Sequence, residues 1–312
     1  WQLCTALQRP WPLDDGSLAA KVVVRAVVSG TGGSARQVGE KLGAHLVATD
    51  LREALQSEEV EAVLIATRHN LHAEQCIAAA RAGRHIFVEK PLGLTGDECR
   101  QIMAEVERAG VLCAVGFNRR FSPLAIALRE SLKGIAGPRQ IVCRVNAGPL
   151  PKGHWLLDAE IGGGRLLGEG CHFFDLMTWL ADAKPVIISA QAVGDSADDV
   201  AVVVKFADGS VGTMIYSGLG DPAYPKERIE VLAGGGVAVL DDFRALTFSG
   251  LPGKSLKLRA QDKGHRGLLA HFVDAVHGEV ALTITAEDGL MATWCARAAL
   301  RSVALGKAVS IK

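Results

Sequence analysis

Four short apolar runs, KVVVRAVVS (21–29), EAVLIAT (61–67), HIFVEK (85–90) and VLCAVGF (111–117), are separated by stretches of helical periodicity. Runs that are apolar at successive rather than alternate positions suit strands buried on both faces. Three intervening segments, SARQVGEKLGA (34–44), HAEQCIAAARAG (72–83) and TGDECRQIMAEVERAG (95–110), read as helices with a glycine at or near the end. Thr95 and Glu98 give the last of them a capping box. Strand and helix in alternation imply a parallel sheet covered on both sides, an α/β unit of Rossmann type.

The pattern changes after Pro123. RQIVCRVNAG (139–148), PVIISAQAVG (185–194), DVAVVVKFADGSVGTMIYSG (199–218), RIEVLAGGGVAVLDD (228–242) and RALTFSG (244–250) are strand-like. ADGS and GGG join neighbouring runs as hairpin turns, so this second sheet is expected to be open and mainly antiparallel, in an α+β unit. One helix, 168–182, interrupts it, and two more, near 264–277 and 286–305, close the chain. The expected division is 1–120 for the Rossmann-type unit and 121–312 for the second, with helix 286–305 packing back on the first.

Composition narrows the function. With 312 residues, 49% of them hydrophobic and 22% charged, two cores can be filled. Lys+Arg and Asp+Glu are equal at 34 each, so no net field favours nucleic acid or an anionic membrane, and a small-molecule partner is expected. The seven cysteines form no C-x-x-C pair, which argues against a zinc knuckle or disulfide framework and for a reducing, cytoplasmic setting.

A sheet that binds a dinucleotide needs G-x-G-x-x-G after its first strand, where glycines let the backbone approach the pyrophosphate. SGTGGSA (29–35) has other spacing and follows what would be the second strand. It is either a strand-to-helix turn with Ser34 as N-cap or a contact for the cofactor's ribose. Ser29 offers no carboxylate for a 2′-hydroxyl and Arg36 could meet a 2′-phosphate, so both NAD and NADP stay open. WQLCTALQRP (1–10) reads as the end of a helix. The expectation is therefore a Rossmann-type sheet lacking its first strand, in a chain that starts just after the phosphate loop.

Lys90 stands at the carboxyl end of a parallel strand, the edge where open α/β sheets bind ligands, and Pro91 fixes the backbone after it. An ammonium there can hydrogen-bond a reacting oxygen. Glu169, His172 and Asp175 are spaced i, i+3, i+6 along one side of a helix, so a carboxylate could orient the imidazole as a general base. Glu-x-x-His is also a metal-ligand spacing. A single copy without a thiolate cluster argues against a metal site, and none is expected.

The EKP segment (89–91), GFNRRFSP (116–123), GGGRLLGEGCHFFDL (162–176) and the last helix (285–309) together resemble the glucose-fructose oxidoreductase / inositol dehydrogenase (Gfo/Idh/MocA-type) family, in that family's order. The resemblance runs from residue 22 onward. It implies an NAD(P)-dependent oxidoreductase acting on a sugar, cyclitol or nucleotide sugar, with a C-terminal sheet face that often supports oligomer contacts, here a homo-oligomer. It places Glu89, Lys90, Pro91, Thr67, His72 and Asn118 on the cofactor side and Arg120 toward the substrate. His72 is equally a helix-capping residue. Lys152, His154 and Trp155 on the loop into the second unit are either sugar contacts or a domain anchor, and Lys226 is a similar candidate.

Where the family usually has an aspartate, this chain has Gly168, with Glu169 its neighbour. That substitution and the absent phosphate turn motivate an alternative, a catalytically impaired sugar-binding or assembly module. NAGPLPKGHW and YPKERIEV resemble a branch whose module sometimes follows an alcohol-dehydrogenase-like module in one polypeptide.

Overall fold

The computed structural model describes residues 21–194 and 196–311. Its first part runs β1 (Ala26–Val28), α1 (Gly32–Leu42), β2 (Leu46–Ala48), α2 (Leu51–Leu55), β3 (Ala62–Ile65), α3 (His72–Arg81), β4 (His85–Val88), α4 (Gly96–Ala109) and β5 (Cys113–Val115). β1 pairs with β2, and β3, β4 and β5 pair in that order, all parallel. No ladder joins these two sheets among the described residues. The expectations about a missing first strand and a helix end at 1–10 lie outside the described residues.

Ile86, Phe87, Val88, Ala114 and Val115 are wholly buried, as successive apolar positions require of a sheet covered on both faces. The capping box of α4 is formed. Glu98 N donates to Thr95 Oγ1 at 3.2 Å, and Thr95 N donates to Glu98 Oε2 at 3.0 Å. α1 corrects the sequence reading. Its N-cap is Thr31, not Ser34, because Gly32 and Gly33 enter the helix as its first turn.

The second part comprises α5 (Pro123–Ser131), β6 (Gln140–Asn146), a π-helical turn (Leu166–Gly170), α6 (Cys171–Ala181), β7 (Pro185–Val193), β8 (Ser196–Phe206), β9 (Val211–Ser217), β10 (Glu227–Ala233), β11 (Gly236–Asp241), β12 (Ala245–Ser249), β13 (Leu256–Lys257), α7 (His265–Val276), α8 (Ala286–Leu305) and β14 (Val309–Ser310). Its strands form one open sheet in the order β13-β12-β11-β10-β6-β9-β8-β7-β14. Every ladder is antiparallel except β6–β9, which is parallel. The β8–β9 and β10–β11 hairpins turn where expected. The second uses Gly234 and Gly235 at φ +55° and +83°, a region that favours glycine.

α6 and α8 cover one face of this sheet. α8 serves two cores at once. Cys295, Ala296 and Ala299 pack with α6 and the large sheet, whereas Leu290 and Ala292 pack with β4 and β5. The approach to the first part is close: a Cβ on Gly289 would lie 2.7 Å from Leu92 Cβ and 3.1 Å from Val115 Cγ2. This helix therefore fixes the strand ends of the parallel sheet against the start of α6. No helix among the described residues is long and apolar enough to cross a membrane.

Candidate active site

The carboxyl ends of β3, β4 and β5 converge on one edge, and Ala66, Glu89, Lys90 and Asn118 line a cleft of about 550 Å³ there. Arg119, His172, Lys226, Gln261, Lys263 and His265 face them across it. Lys90 and His172, distant in sequence, thus share one cleft.

The Lys90–Pro91 peptide is cis. Lys90 Nζ donates to the Gly168 carbonyl at 2.8 Å, within the π-helical turn that precedes α6. An ammonium has three donors, so two remain for a ligand. Beside it, burial raises the pKa of the Glu89 carboxyl against the pull of Lys90. Gly116 lets this segment pack closely, since a Cβ there would sit 2.8 Å from Glu89 Oε2.

His172 is 6% exposed, and its Nδ1 is buried with no hydrogen-bond partner. Burial, then Arg119, Lys90, His265 and Lys263, push its pKa well below the ordinary histidine value. The resting imidazole therefore favours its neutral form. Neither carboxylate expected to orient it does so. Asp175 is gripped by Arg120, whose Nε donates to Oδ2 at 2.8 Å and whose Nη2 donates to Oδ1. The same Nη2 donates to Asp288 Oδ1 at 2.8 Å, and Asp288 caps α8. Glu169 accepts from Tyr216 Oη and Lys226 Nζ. In both cases a cation outcompetes a neutral imidazole for the carboxylate.

Arg120 also departs from expectation. It is buried in the Asp175–Asp288 pair and does not line the cleft, whereas Arg119 does. Both lie in the 3₁₀ turn Asn118–Phe121, where successive side chains diverge by about 120°.

At Gly168 the aspartate that the resemblance implies would crowd its neighbours. A Cβ there would lie 2.4 Å from Leu156 Cδ1 and 2.8 Å from His69 Cε1. His69 itself is buried, with Nδ1 2.8 Å from the Gly162 carbonyl and its ring 4.8 Å from that of Trp155, edge-on. Burial holds its pKa down at about 4.

The remaining expected residues divide. His72 is fully buried. Its Nδ1 lies 2.7 Å from the Pro91 carbonyl and its Nε2 3.2 Å from the Thr67 carbonyl, so it braces the segment that carries Lys90. Thr67 Oγ1 donates to Gln75 Oε1 at 2.7 Å. Ser29 is 3.2 Å from Ser34 Oγ, and neither it nor the exposed Arg36 lines the cleft. Lys152 is exposed, His154 caps a short turn by accepting from Leu156 N, and Trp155 packs on His69, so this loop braces the structure beside the cleft. Asn118 Nδ2 donates to the Lys263 carbonyl at 2.6 Å and pins the segment before α7. Lys226 is in the cleft, tied to Glu169.

The sequence reading missed Arg119, Glu227, Gln261, Lys263 and His265. Arg119 Nε and Nη2 donate to the two oxygens of Glu227 at 2.8 and 2.7 Å, and Lys263 Nζ donates to Oε1 at 2.6 Å. Burial opposes the Glu227 charge, yet Arg119 and Lys263 outweigh it and hold the pKa at about 2. One signal was present: Glu227 occupies a core-facing position of β10 in line with Ile229 and Val231. A carboxylate there needs a buried cationic partner.

A family model described as "Oxidoreductase family, NAD-binding Rossmann fold" matches residues 12–117, and one described as "GFO/IDH/MocA C-terminal domain" matches residues 134–239. The chain is 28% identical to myo-inositol 2-dehydrogenase of Thermotoga maritima over 89% of this chain and 87% of that one. It is 30% identical to the rhizopine catabolism protein MocA of Rhizobium meliloti, over 79% and 77%. Among solved structures, GenD2 from gentamicin A biosynthesis in complex with NAD is 25% identical with a TM-score of 0.80, covering 94% of this chain and 90% of that one. Both parts of the fold and the order of motifs around the cleft thus agree with one assignment: the chain belongs to the Gfo/Idh/MocA family of NAD(P)-dependent oxidoreductases.

Proposed function

We propose that this protein interconverts a secondary alcohol and a ketone on a sugar or cyclitol, with Lys90 and His172 acting directly on the reacting oxygen. The observation that carries this reading is their shared cleft at the carboxyl edge of a parallel sheet, with His172 Nδ1 buried and unpartnered. A buried nitrogen without a partner is uncommon, and a catalytic role is one explanation for it. The residues there fit a nicotinamide: the carboxyl ends of β3, β4 and β5 lie on one side, where Ala66, Glu89, Lys90 and Asn118 line the cleft. A bound nicotinamide supplies the acceptor for the two electrons that leave the carbinol carbon with its hydrogen.

The chain's own groups handle the oxygen. Neutral His172 takes the hydroxyl proton, so the oxygen's electron pair can form the carbonyl. Lys90, held by the Gly168 carbonyl, turns its remaining N–H donors to the developing alkoxide. In reduction the same imidazole returns the proton. The inositol dehydrogenase relative supports polyols as substrates, and the NAD complex of GenD2 supports the cofactor.

Exposed Ile187, Val203 and Ile215 on the outer sheet face support a homo-oligomer formed through that face. The free, buried cysteines support residence in a reducing compartment, the cytoplasm. The test is reduction of NAD⁺ and NADP⁺ across a panel of cyclitols and sugars, followed by absorbance of the reduced nicotinamide. Turnover of at least one polyol is expected. No turnover with either cofactor by protein shown to bind it would reject the reading.

A further inference from the structure

The cleft carries more positive charge than its carboxylates balance. Lys90, Arg119, Lys226 and Lys263 line it. Lys226 is matched by Glu169. Arg119 and Lys263 share the single charge of Glu227, and Lys90 is held by a neutral carbonyl. Among the described residues Glu89 is the one carboxylate at the lining itself, where burial raises its pKa and Lys90 beside it opposes that. Arg119 and Lys263 thus have one counter-charge between them, and a charge left unpaired away from water is costly.

Geometry makes this more than a solvated basic patch. Glu227 is fully buried and Arg119 is 5% exposed, so the guanidinium is locked beneath the cleft. Arg119 uses Nε and Nη2 on Glu227, which leaves Nη1. Lys263 Nζ donates to Glu227 Oε1, which leaves two donors, and its backbone carbonyl is fixed by Asn118. Donors whose positions are set before a ligand arrives favour a compact anion over a neutral hydroxyl.

We infer that the preferred substrate is a polyol bearing an acid group, a carboxylate or a phosphate, whose anion is bound by Lys263 and Arg119 while its carbinol carbon faces Lys90 and His172. This rests on the oxidoreductase reading above. Bound there, the anion supplies the second counter-charge that Arg119 and Lys263 lack. It also relieves the positive field on His172 and makes that imidazole a better proton acceptor.

The test compares kcat/KM of the full chain, with its cofactor, for neutral sugars and cyclitols against matched sugar acids and sugar phosphates at low and high salt. The acid members are expected to be preferred at least about tenfold at low salt, the worth of one charge-assisted hydrogen bond. The carboxylate and phosphate arms identify which anion it is. The preference should shrink at high salt, and Lys263→Gln should lower kcat/KM for the acid about tenfold more than for its neutral match, chiefly through KM. Inorganic phosphate or a simple carboxylate should also inhibit the wild-type protein competitively, which needs no variant. Equal or better turnover of the neutral members overturns the inference and leaves the oxidoreductase reading standing. No turnover of any member overturns both.

Discussion

Replacing Glu227 by glutamine removes one buried negative charge and keeps the side chain's shape. Arg119 is then left nearly buried opposite an amide, and Lys263 loses its partner. Breaking a buried pair from one side costs about 3–5 kcal/mol. The depressed pKa of Glu227 gives a second figure. The Glu227 carboxyl sits at about 2 against an ordinary 4.5, and a drop of that size is worth about 3 kcal/mol. The sign follows from the depressed value. The stabilisation is complete above the unfolded carboxyl's pKa and is lost as the pH falls through the folded one. Denaturant unfolding of wild type and Glu227→Gln should therefore differ by about 3 kcal/mol at neutral pH. The gap should narrow progressively as pH drops from about 4.5 toward 2. A gap that stays constant through this range, or is absent at pH 7, refutes the claim that Glu227 is the charged anchor of Arg119 and Lys263.

Further outcomes follow from the same geometry. Gly168→Asp should cost about 1–3 kcal/mol through overpacking against Leu156 and His69 without raising kcat, measured by denaturation and steady-state rates. Arg120→Met should destabilise by about 3–5 kcal/mol, because Asp175 is left buried and unpaired, and replacing Asp175 by Leu in that background should recover much of the loss. The His172 ring resonances should show no titration between about pH 8 and 5 in the substrate-free protein. Its folded pKa lies below the unfolded value of 6.5, so its contribution to stability holds above that value and fades as pH falls.

The architecture was legible wherever neighbours in sequence decide it. IFV and AVLI are apolar at every position, and both lie in strands of a parallel sheet with a helix between them. The Thr95–Glu98 cap and the Gly234–Gly235 turn depend on only a few residues and formed as expected. The parallel β6–β9 pair was not legible, because β6 finds its partner more than sixty residues later. The site divides in the same way. Lys90 could be placed because a strand end and a proline locate it. Asp175 could not, since its spacing from His172 says nothing of Arg120, which is 55 positions away in sequence. Nor could Arg119 be told from Arg120, where one step around a 3₁₀ turn separates a cleft residue from a strut.

Lys90 and His172 are proposed to act on the reacting oxygen, and single-turnover nicotinamide reduction by Lys90→Met and His172→Ala measures that role. With cofactor affinity verified by fluorescence, each substitution should slow the step by about 10²–10⁴-fold, and solvent deuterium should slow the wild type. Wild-type rates in either variant, on a substrate the native protein oxidises, would contradict the assignment.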